Sequence, residues 1–224
     1  MSKQLSIIIP TLNEIENIEA TLRPLQTLRA QGHEIIVTDG GSEDTTVALA
    51  TPLCDRLVHA PRGRALQMNE GARYACGNYL LFLHADSVLP DDAPGLISSA
   101  LQSSTWGRFD VRLSGRHWLL RIIESMMNLR SRLTGIATGD QAIFVMRGLF
   151  EELGGFPDLA LMEDIELSKR LKRHGRPACL KQKVLTSSRR WEAHGILKTV
   201  LLMWRLRLAY FFGARPEQLS RHYY

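Results

Sequence analysis

Cysteine is scarce in this 224-residue sequence: three occur, at Cys54, Cys76 and Cys179, widely spaced and odd in number. They offer no disulfide framework and no zinc spacing, which fits a reducing cytoplasm. A long uncharged apolar run is also missing. The segment Ile196 to Phe212 comes nearest, but Lys198, Arg205 and Arg207 interrupt it, and each cation is expensive at mid-bilayer. The apolar stretch that follows Met1 to Lys3, Leu5-Ser6-Ile7-Ile8-Ile9, is too short for a secretory leader and has no small-residue cleavage site. A mature chain that starts here and stays inside the cell is therefore expected. Internal repeats, low-complexity tracts and Pro/Ser-rich linkers are absent too, so no domain boundary announces itself. Nor does any basic helix carry interleaved aromatics, and nucleic acid is not expected as a partner.

What remains is the composition of one well-buried domain of the larger kind, or of two very small ones. Apolar residues make up 45% and charged residues 23%, which excludes the disordered and fibrous classes. The formal charge of +5 points to an anionic partner such as a phosphorylated substrate or a lipid surface. A solvated basic surface explains the same number.

Apolar β-branched runs alternate with segments of helical period. Leu5 to Ile9, Glu34 to Thr38, Arg56 to His59 and Tyr79 to His84 read as strands. Between them, Ile15, Ile18, Leu22 and Leu25 repeat at helical spacing, with Pro24 expected to kink or shorten that helix. A short helix over Thr45 to Ala50, capped by Ser42 or Asp44, and another over Ala65 to Ala75 follow. This alternation predicts a mostly parallel sheet with helices on both faces, whose ligands sit beyond the carboxyl ends of the strands. Thr11, Asn13, Glu14, Asp39 and Asp86 all fall at those ends. Farther on, Trp106 to Leu113 reads as a strand on an edge or in a mixed part of the sheet, and Gln141 to Met146 as another. Trp118, Ile122, Met126, Leu129 and Leu133 form a helical stripe, and Met162 to His174 a charged amphipathic helix.

Several residue types in these positions suit anionic chemistry. Asp86 closes a very apolar strand, where a carboxylate suits a hard cation that keeps waters and bridges phosphates. Arg62 and Arg64 flank a glycine just ahead of a helix start, an arrangement fit for a diphosphate. Glu163 and Asp164 open a helix, which the helix dipole alone also favours. Asp39 by itself also reads as a turn residue satisfied by its own backbone, the lesser of its two readings.

Taken in order, the motifs Ile8-Ile9-Pro10-Thr11-Leu12-Asn13-Glu14, Val37-Thr38-Asp39-Gly40-Gly41-Ser42, His84-Ala85-Asp86-Ser87 and Gly154-Gly155-Phe156 with Glu163-Asp164 resemble the family 2 glycosyltransferases of the GT-A fold. The resemblance covers about the first 190 residues. It implies a GT-A domain over residues 1–192 and a helical extension over 193–224, packed on that domain, at a homodimer interface or on a membrane surface. It also implies an inverting transfer from a UDP- or GDP-sugar to a hydroxyl acceptor, small or lipid-linked. Pro10, Thr11, Asn13, Glu14, Asp39, Gly40, Arg62, Arg64, Gln67 and Asp86 would surround the donor. Asp164 would be the catalytic base and Glu163 its support. Asp140, Gln141, Arg190 and Trp191 would shape the acceptor side. Mg²⁺ or Mn²⁺ would be held by Asp86, with His194 as a further candidate ligand; His84 stands where the family usually has a first aspartate. Ser187 replaces the glutamine usual ahead of the Arg-Trp pair, which argues against a processive polymer synthase. Arg189-Arg190-Trp191-Glu192 running into Gly195-Ile196-Leu197 resembles a short subgroup associated with radical-enzyme and arsenosugar gene neighbourhoods.

Two rival readings share the architecture. A nucleotidyltransferase would begin with a glycine-rich basic loop, which Pro10-Thr11-Leu12-Asn13-Glu14 is not. A nucleotide-sugar-binding protein that has lost catalysis draws its support from the missing aspartate at His84.

Overall fold

The computed structural model describes residues 4–223; the expected domain limits at residues 1 and 224 fall outside them. Strand β1 (Leu5–Thr11) is buried along its whole length. Its alternate residues serve opposite layers, Ile7 and Ile9 entering one core cluster and Ile8 the other. That is the physics of a parallel sheet covered on both faces, and it sets the rest of the domain.

The order along the chain is β1, α1 (Ile18–Ala30), β2 (Glu34–Asp39), α2 (Thr46–Ala50), β3 (Arg56–His59), α3 (Arg64–Arg73), β4 (Tyr79–Phe82), β5 (Ser87–Val88), α4 (Ala93–Ala100) and β6 (Trp106–Leu113). Then come α5 (Trp118–Thr134), β7 (Phe144–Met146), α6 (Arg147–Glu152), α7 (Glu163–Leu171), β8 (Ala178–Thr186), α8 (Arg189–His194), α9 (Ile196–Phe211) and α10 (Pro216–Tyr223). Within the described residues the sheet has eight strands in the order β3-β2-β1-β4-β7-β6-β8-β5. The first four pair in parallel, and β7 runs antiparallel between β4 and β6. The expected mostly parallel α/β architecture therefore forms, and β6 lies inside its mixed half rather than on an edge.

Local expectations shift in instructive ways. Helix α1 begins at Ile18, leaving Ile15 exposed, and it runs through Pro24. Ala20 and Pro24 both face solvent, so water can serve the Ala20 carbonyl that proline leaves without a donor. Asp44, not Ser42, serves the start of α2: its Oδ1 accepts from Thr46 N at 2.9 Å. Gln141 sits in a single 3₁₀ turn (Gly139–Gln141), and the strand expected from there starts only at Phe144.

Helix α5 is amphipathic in the inverse sense. Glu124, Asn128 and Ser131 are buried, while Trp118, Ile122, Met126, Leu129 and Leu133 are exposed. The polar face replaces part of a strand ladder. Asn128 accepts from Val111 N (2.8 Å) and donates to Val111 O (3.1 Å), and Glu124 accepts from Leu113 N (3.1 Å). Asp110 completes the attachment by pairing with Arg108 and, at 2.7 Å, with Arg132. Helix α9 is held differently, through an apolar cluster in which Leu206 and Leu219 meet Leu161 and Met162.

Candidate active site

The parallel strands β1 to β4 deliver their carboxyl ends to one rim, where a cleft of about 1290 Å³ opens. Pro10, Thr11, Glu14, Arg62, Arg64, Gln67, Asp86, Asp140, Arg190 and Trp191 line it, as does His84. The other expected donor residues, Asn13, Asp39 and Gly40, are not among its lining residues. Asn13, with a left-handed backbone (φ 53°), donates its N–H to Ser42 Oγ and accepts from Glu43 N. Asp39 accepts from Gly41 N, Ser42 N and Ser42 Oγ at 2.9, 3.0 and 2.5 Å. Asn13 thus ties the β1 loop to the β2 loop, while Asp39 closes the β2 turn on itself. Gln67 is buried and donates to the carbonyls of Thr11 (2.7 Å) and Thr38 (3.0 Å), while its amide packs so closely under Gly40 that a Cβ there would sit 2.9 Å from it.

In the middle of the cleft, His84 Nδ1 lies 3.4 Å from Asp140 Oδ1. Burial pushes the imidazole pKa down, but the hydrogen bond and charge of Asp140 outweigh it and the net direction is up. The same contact, with Arg64 and Arg130, holds Asp140 below the usual carboxylate range against its burial. Asp86 keeps much of its acceptor capacity, since its partners Ser87 Oγ and Thr186 Oγ1 are distant at 3.3 and 3.5 Å. Glu14 is raised by burial and by the nearby Asp86 charge, against a hydrogen bond from Asn17; Arg189 lies 3.7 Å from it.

Asp164 stands one layer back, beside the lining residues rather than among them. Its Oδ2 accepts from Gly139 N at 3.0 Å and its Oδ1 from Ile165 N at 2.7 Å. Burial and the adjacent Glu163 charge raise its pKa to about 6, against Arg64 and the two N–H donors. Glu163 is buried, with Oε1 3.1 Å from Arg64 Nε and Oε2 without a hydrogen-bond partner. Met162, just before this pair, adopts φ 71°, and Ala142, just after the Asp140 turn, φ 46°. Left-handed backbone at non-glycine residues costs on the order of 1–3 kcal/mol each and collects at functional sites.

Gln141 and His194 do not join the cleft either. Gln141 is fully buried, its side chain accepting from Thr138 N and donating to Asn128 Oδ1. His194 is exposed on α8 with Nδ1 3.2 Å from Arg190 O. Among the described residues no three His, Cys, Asp or Glu side chains gather as a metal-holding group. The donor set around Asp86 thus fits a cation that takes most of its ligands from water and phosphate, and does not fit a protein cage.

The sequence reading missed Arg130, which lines the cleft with its Nε and Nη2 buried and without a hydrogen-bond partner. Ile123, Met127 and Arg130 recur at helical spacing on one face of α5, a signal that could have been read. Helix α9 adds Met203, Trp204 and Leu208 to the lining, together with the cations Arg205 and Arg207.

Comparison with known proteins bears on the fold and the family. The uncharacterized glycosyltransferase YibD of Escherichia coli is 30% identical over 149 residues, covering 62% of this chain and 42% of that protein. The poly-beta-1,6-N-acetyl-D-glucosamine synthase of Staphylococcus aureus is 30% identical over 96 residues, 40% of this chain and 23% of that protein. The chain thus spans less than half the length of either relative. Among solved structures, S. aureus TarS in complex with UDP-GlcNAc superposes with a TM-score of 0.68 at 18% identity, over 82% of this chain and 58% of that one. The Pyrobaculum calidifontis mannosyltransferase PcManGT, in complex with GDP-Man and Mn²⁺, gives 0.68 at 22%, over 99% and 68%. These likenesses establish the GT-A fold. The model of "Glycosyl transferase family 2" matches residues 6–147, well over half of the sequence, and the chain belongs to that family.

Proposed function

We propose that the protein is an inverting glycosyltransferase that moves a sugar from a UDP- or GDP-linked donor to an acceptor hydroxyl. One observation carries the reading. The strand-end loops, two arginines and Asp86 line a single cleft, and directly behind its Asp140 wall Asp164, with a pKa raised to about 6, is held on Gly139 N. A general base works best at such a value. In the step proposed, the acceptor oxygen bonds to the anomeric carbon as that carbon's bond to the diphosphate oxygen breaks. The hydroxyl proton passes to Asp164, and the electron pair leaves with the nucleoside diphosphate. Arg62 and Arg64 stabilise the charge gathered on that leaving group. Asp86 would hold Mg²⁺ or Mn²⁺, which when bound neutralises diphosphate charge. Glu163 tunes Asp164 through its charge and holds Arg64 in place.

A second reading rests on one specific feature: Asp140 faces the cleft while Asp164 stands behind it. The His84–Asp140 pair would then accept the proton. Residues 193–224 act in either case as an extension on the catalytic domain. Among the described residues no helix is long and apolar enough to cross a membrane. Contact with the inner membrane surface would instead use the exposed stripes of α5 and α9, which homodimerisation would otherwise cover.

The deciding experiment is thermal stabilisation across a panel of nucleotide sugars and nucleoside diphosphates, with and without Mn²⁺. Stabilisation by a UDP or GDP species is expected; indifference to all of them would remove the donor site.

A further inference from the structure

We infer that Arg130 reads a second negative charge in the cleft, a carboxylate or phosphate that the acceptor carries beside its reacting hydroxyl. This rests on the transferase reading above and adds the charge of the acceptor and the residue that selects it. The first ground is the state of the guanidinium. Of the three arginines of α5, Arg121 pairs with Glu124 at 3.1 Å and Arg132 with Asp110 at 2.7 Å. Arg130 has no ion pair among the described residues, and its buried Nε and Nη2 lack any hydrogen-bond partner. Arginine stays charged in a protein, and a buried charge without a counter-ion is costly. Nε and Nη2 form the side edge of the guanidinium, which can grip two oxygens of one carboxylate or phosphate.

The second ground is position. Asp164 and Asp140 both act on Arg130 through their charge, yet neither bonds to it. Asp140 is engaged by His84, and Asp164 by the N–H groups of Gly139 and Ile165. An acceptor set among them would meet the carboxylates with its hydroxyl and Arg130 with its anion. The backbone under Arg130 is fixed, because Asn128 bonds to Val111 on β6 and Thr134 Oγ1 donates to Arg130 O at 2.8 Å. The side chain is freer. Arg130 lines the cleft, and the rotatable bonds of its stem let the closed edge turn into the cavity.

The third ground is the balance of charge. Seven arginines line the cleft against three carboxylates, Glu14, Asp86 and Asp140. Arg62 and Arg64 serve the donor diphosphate in the proposed reaction, and Arg189 is spent on Glu16 at 2.6 Å. A diphosphate that shares its charge with a divalent cation leaves the rest of this positive charge unanswered. A cleft of that sign draws in anions.

The test is calorimetric titration of the protein saturated with the stabilising nucleoside diphosphate and Mn²⁺. Glycerol phosphate and glycerate are the probes, and glycerol is the uncharged control. Both anions should bind the loaded protein, and glycerol should not. Arg130→Met, which keeps the length of the side chain and removes its charge, should weaken both at least about tenfold while nucleotide affinity stays within about twofold. Arg130→Lys should recover part of the loss. Without ligand, Arg130→Met should melt no lower than the wild type, since it removes a buried unpaired charge. Probe binding that ignores Arg130→Met, or that vanishes once the nucleotide is bound, would overturn the inference. The second of these results would place the anions in the diphosphate site. Equal binding of glycerol, or no binding of either anion, would overturn it too. So would an Arg130→Met protein that melts lower and loses the nucleotide as well, the mark of a structural arginine. If no nucleoside diphosphate stabilises the wild type, the transferase reading itself has failed, and the inference with it.

Discussion

Arg64 Nε meets Glu163 Oε1 at 3.1 Å, joining the first residue of α3 to the helix that carries Asp164. The two halves of the proposed reaction, leaving-group stabilisation and proton removal, are thereby coupled through one ion pair. Arg64 lowers the Asp164 pKa while Glu163 raises it, so the balance at Asp164 depends on both partners.

Glu163→Gln tests that balance. The substitution keeps an oxygen for Arg64 and removes the negative charge beside Asp164. Both the lost repulsion and the less compensated arginine favour the ionised base. The acidic limb of the pH profile of kcat/KM, expected near 6 in the wild type, should move to lower pH. A limb that stays in place would detach the profile from Asp164.

Asp164→Asn should cost transfer about 10²–10⁴-fold while nucleoside diphosphate binding is retained. Its stability should change in the opposite direction. A carboxyl group raised on folding binds more protons in the native than in the unfolded state between the ordinary value of 3.8 and about 6. Its destabilising effect is therefore fully present above pH 6 and fades as pH falls through that window. Asparagine removes the effect, so the variant should gain on the order of 1–2 kcal/mol at pH 7.5 and nothing at pH 4. Melting curves at the two pH values measure this. Retained turnover would transfer the base to His84–Asp140.

Asp86→Asn should abolish the extra stabilisation that Mn²⁺ adds to a nucleoside diphosphate, leaving the metal-free part of the response in place. Asp86 is the cleft carboxylate whose hydrogen bonds are long enough to be replaced by a cation. His194→Ala, on an exposed turn of α8, tests the other expected ligand; a loss as large as that of the aspartate variant would bring His194 into the metal site.

The parallel half of the fold was legible because β1, β2 and β4 are buried on both faces and carry near-continuous apolar runs. The rim of candidate residues followed from that, since polar side chains at strand ends have few other reasons to cluster. The division of labour among them was not legible. Asn13 and Asp39 have the residue types of ligand contacts, and they also order the loops, Asn13 across to Glu43 and Asp39 within its own turn. The His84–Asp140 pair joins residues far apart in sequence, and no local pattern announces it. Strand β8 escaped detection because Lys181, Gln182 and Lys183 break its apolar run where it faces solvent. The α5 stripe was visible, but its direction was set by Asn128 bonding to Val111, a tertiary contact that periodicity does not contain.

Gly139→Ala examines the tightest contact in the site. A Cβ at Gly139 would lie 2.3 Å from His84 Nε2 and 2.6 Å from its Cε1, well inside any tolerated separation. The imidazole cannot retreat freely, because its Nδ1 is engaged by Asp140. Gly139 cannot retreat freely either, because its N–H is held by Asp164 Oδ2. Overpacking of this kind costs about 1–3 kcal/mol. Activity should fall at least tenfold (on the order of 1.4 kcal/mol in transition-state stabilisation), since both carboxylates considered as the base are disturbed together. The second variant, His84→Ala on the Gly139→Ala background, removes the ring that clashes. If the loss is steric, the double variant should melt higher than Gly139→Ala alone, giving a favourable coupling energy between sites that are each damaging singly. Additive losses would show that alanine at 139 acts through the backbone turn and not through the histidine.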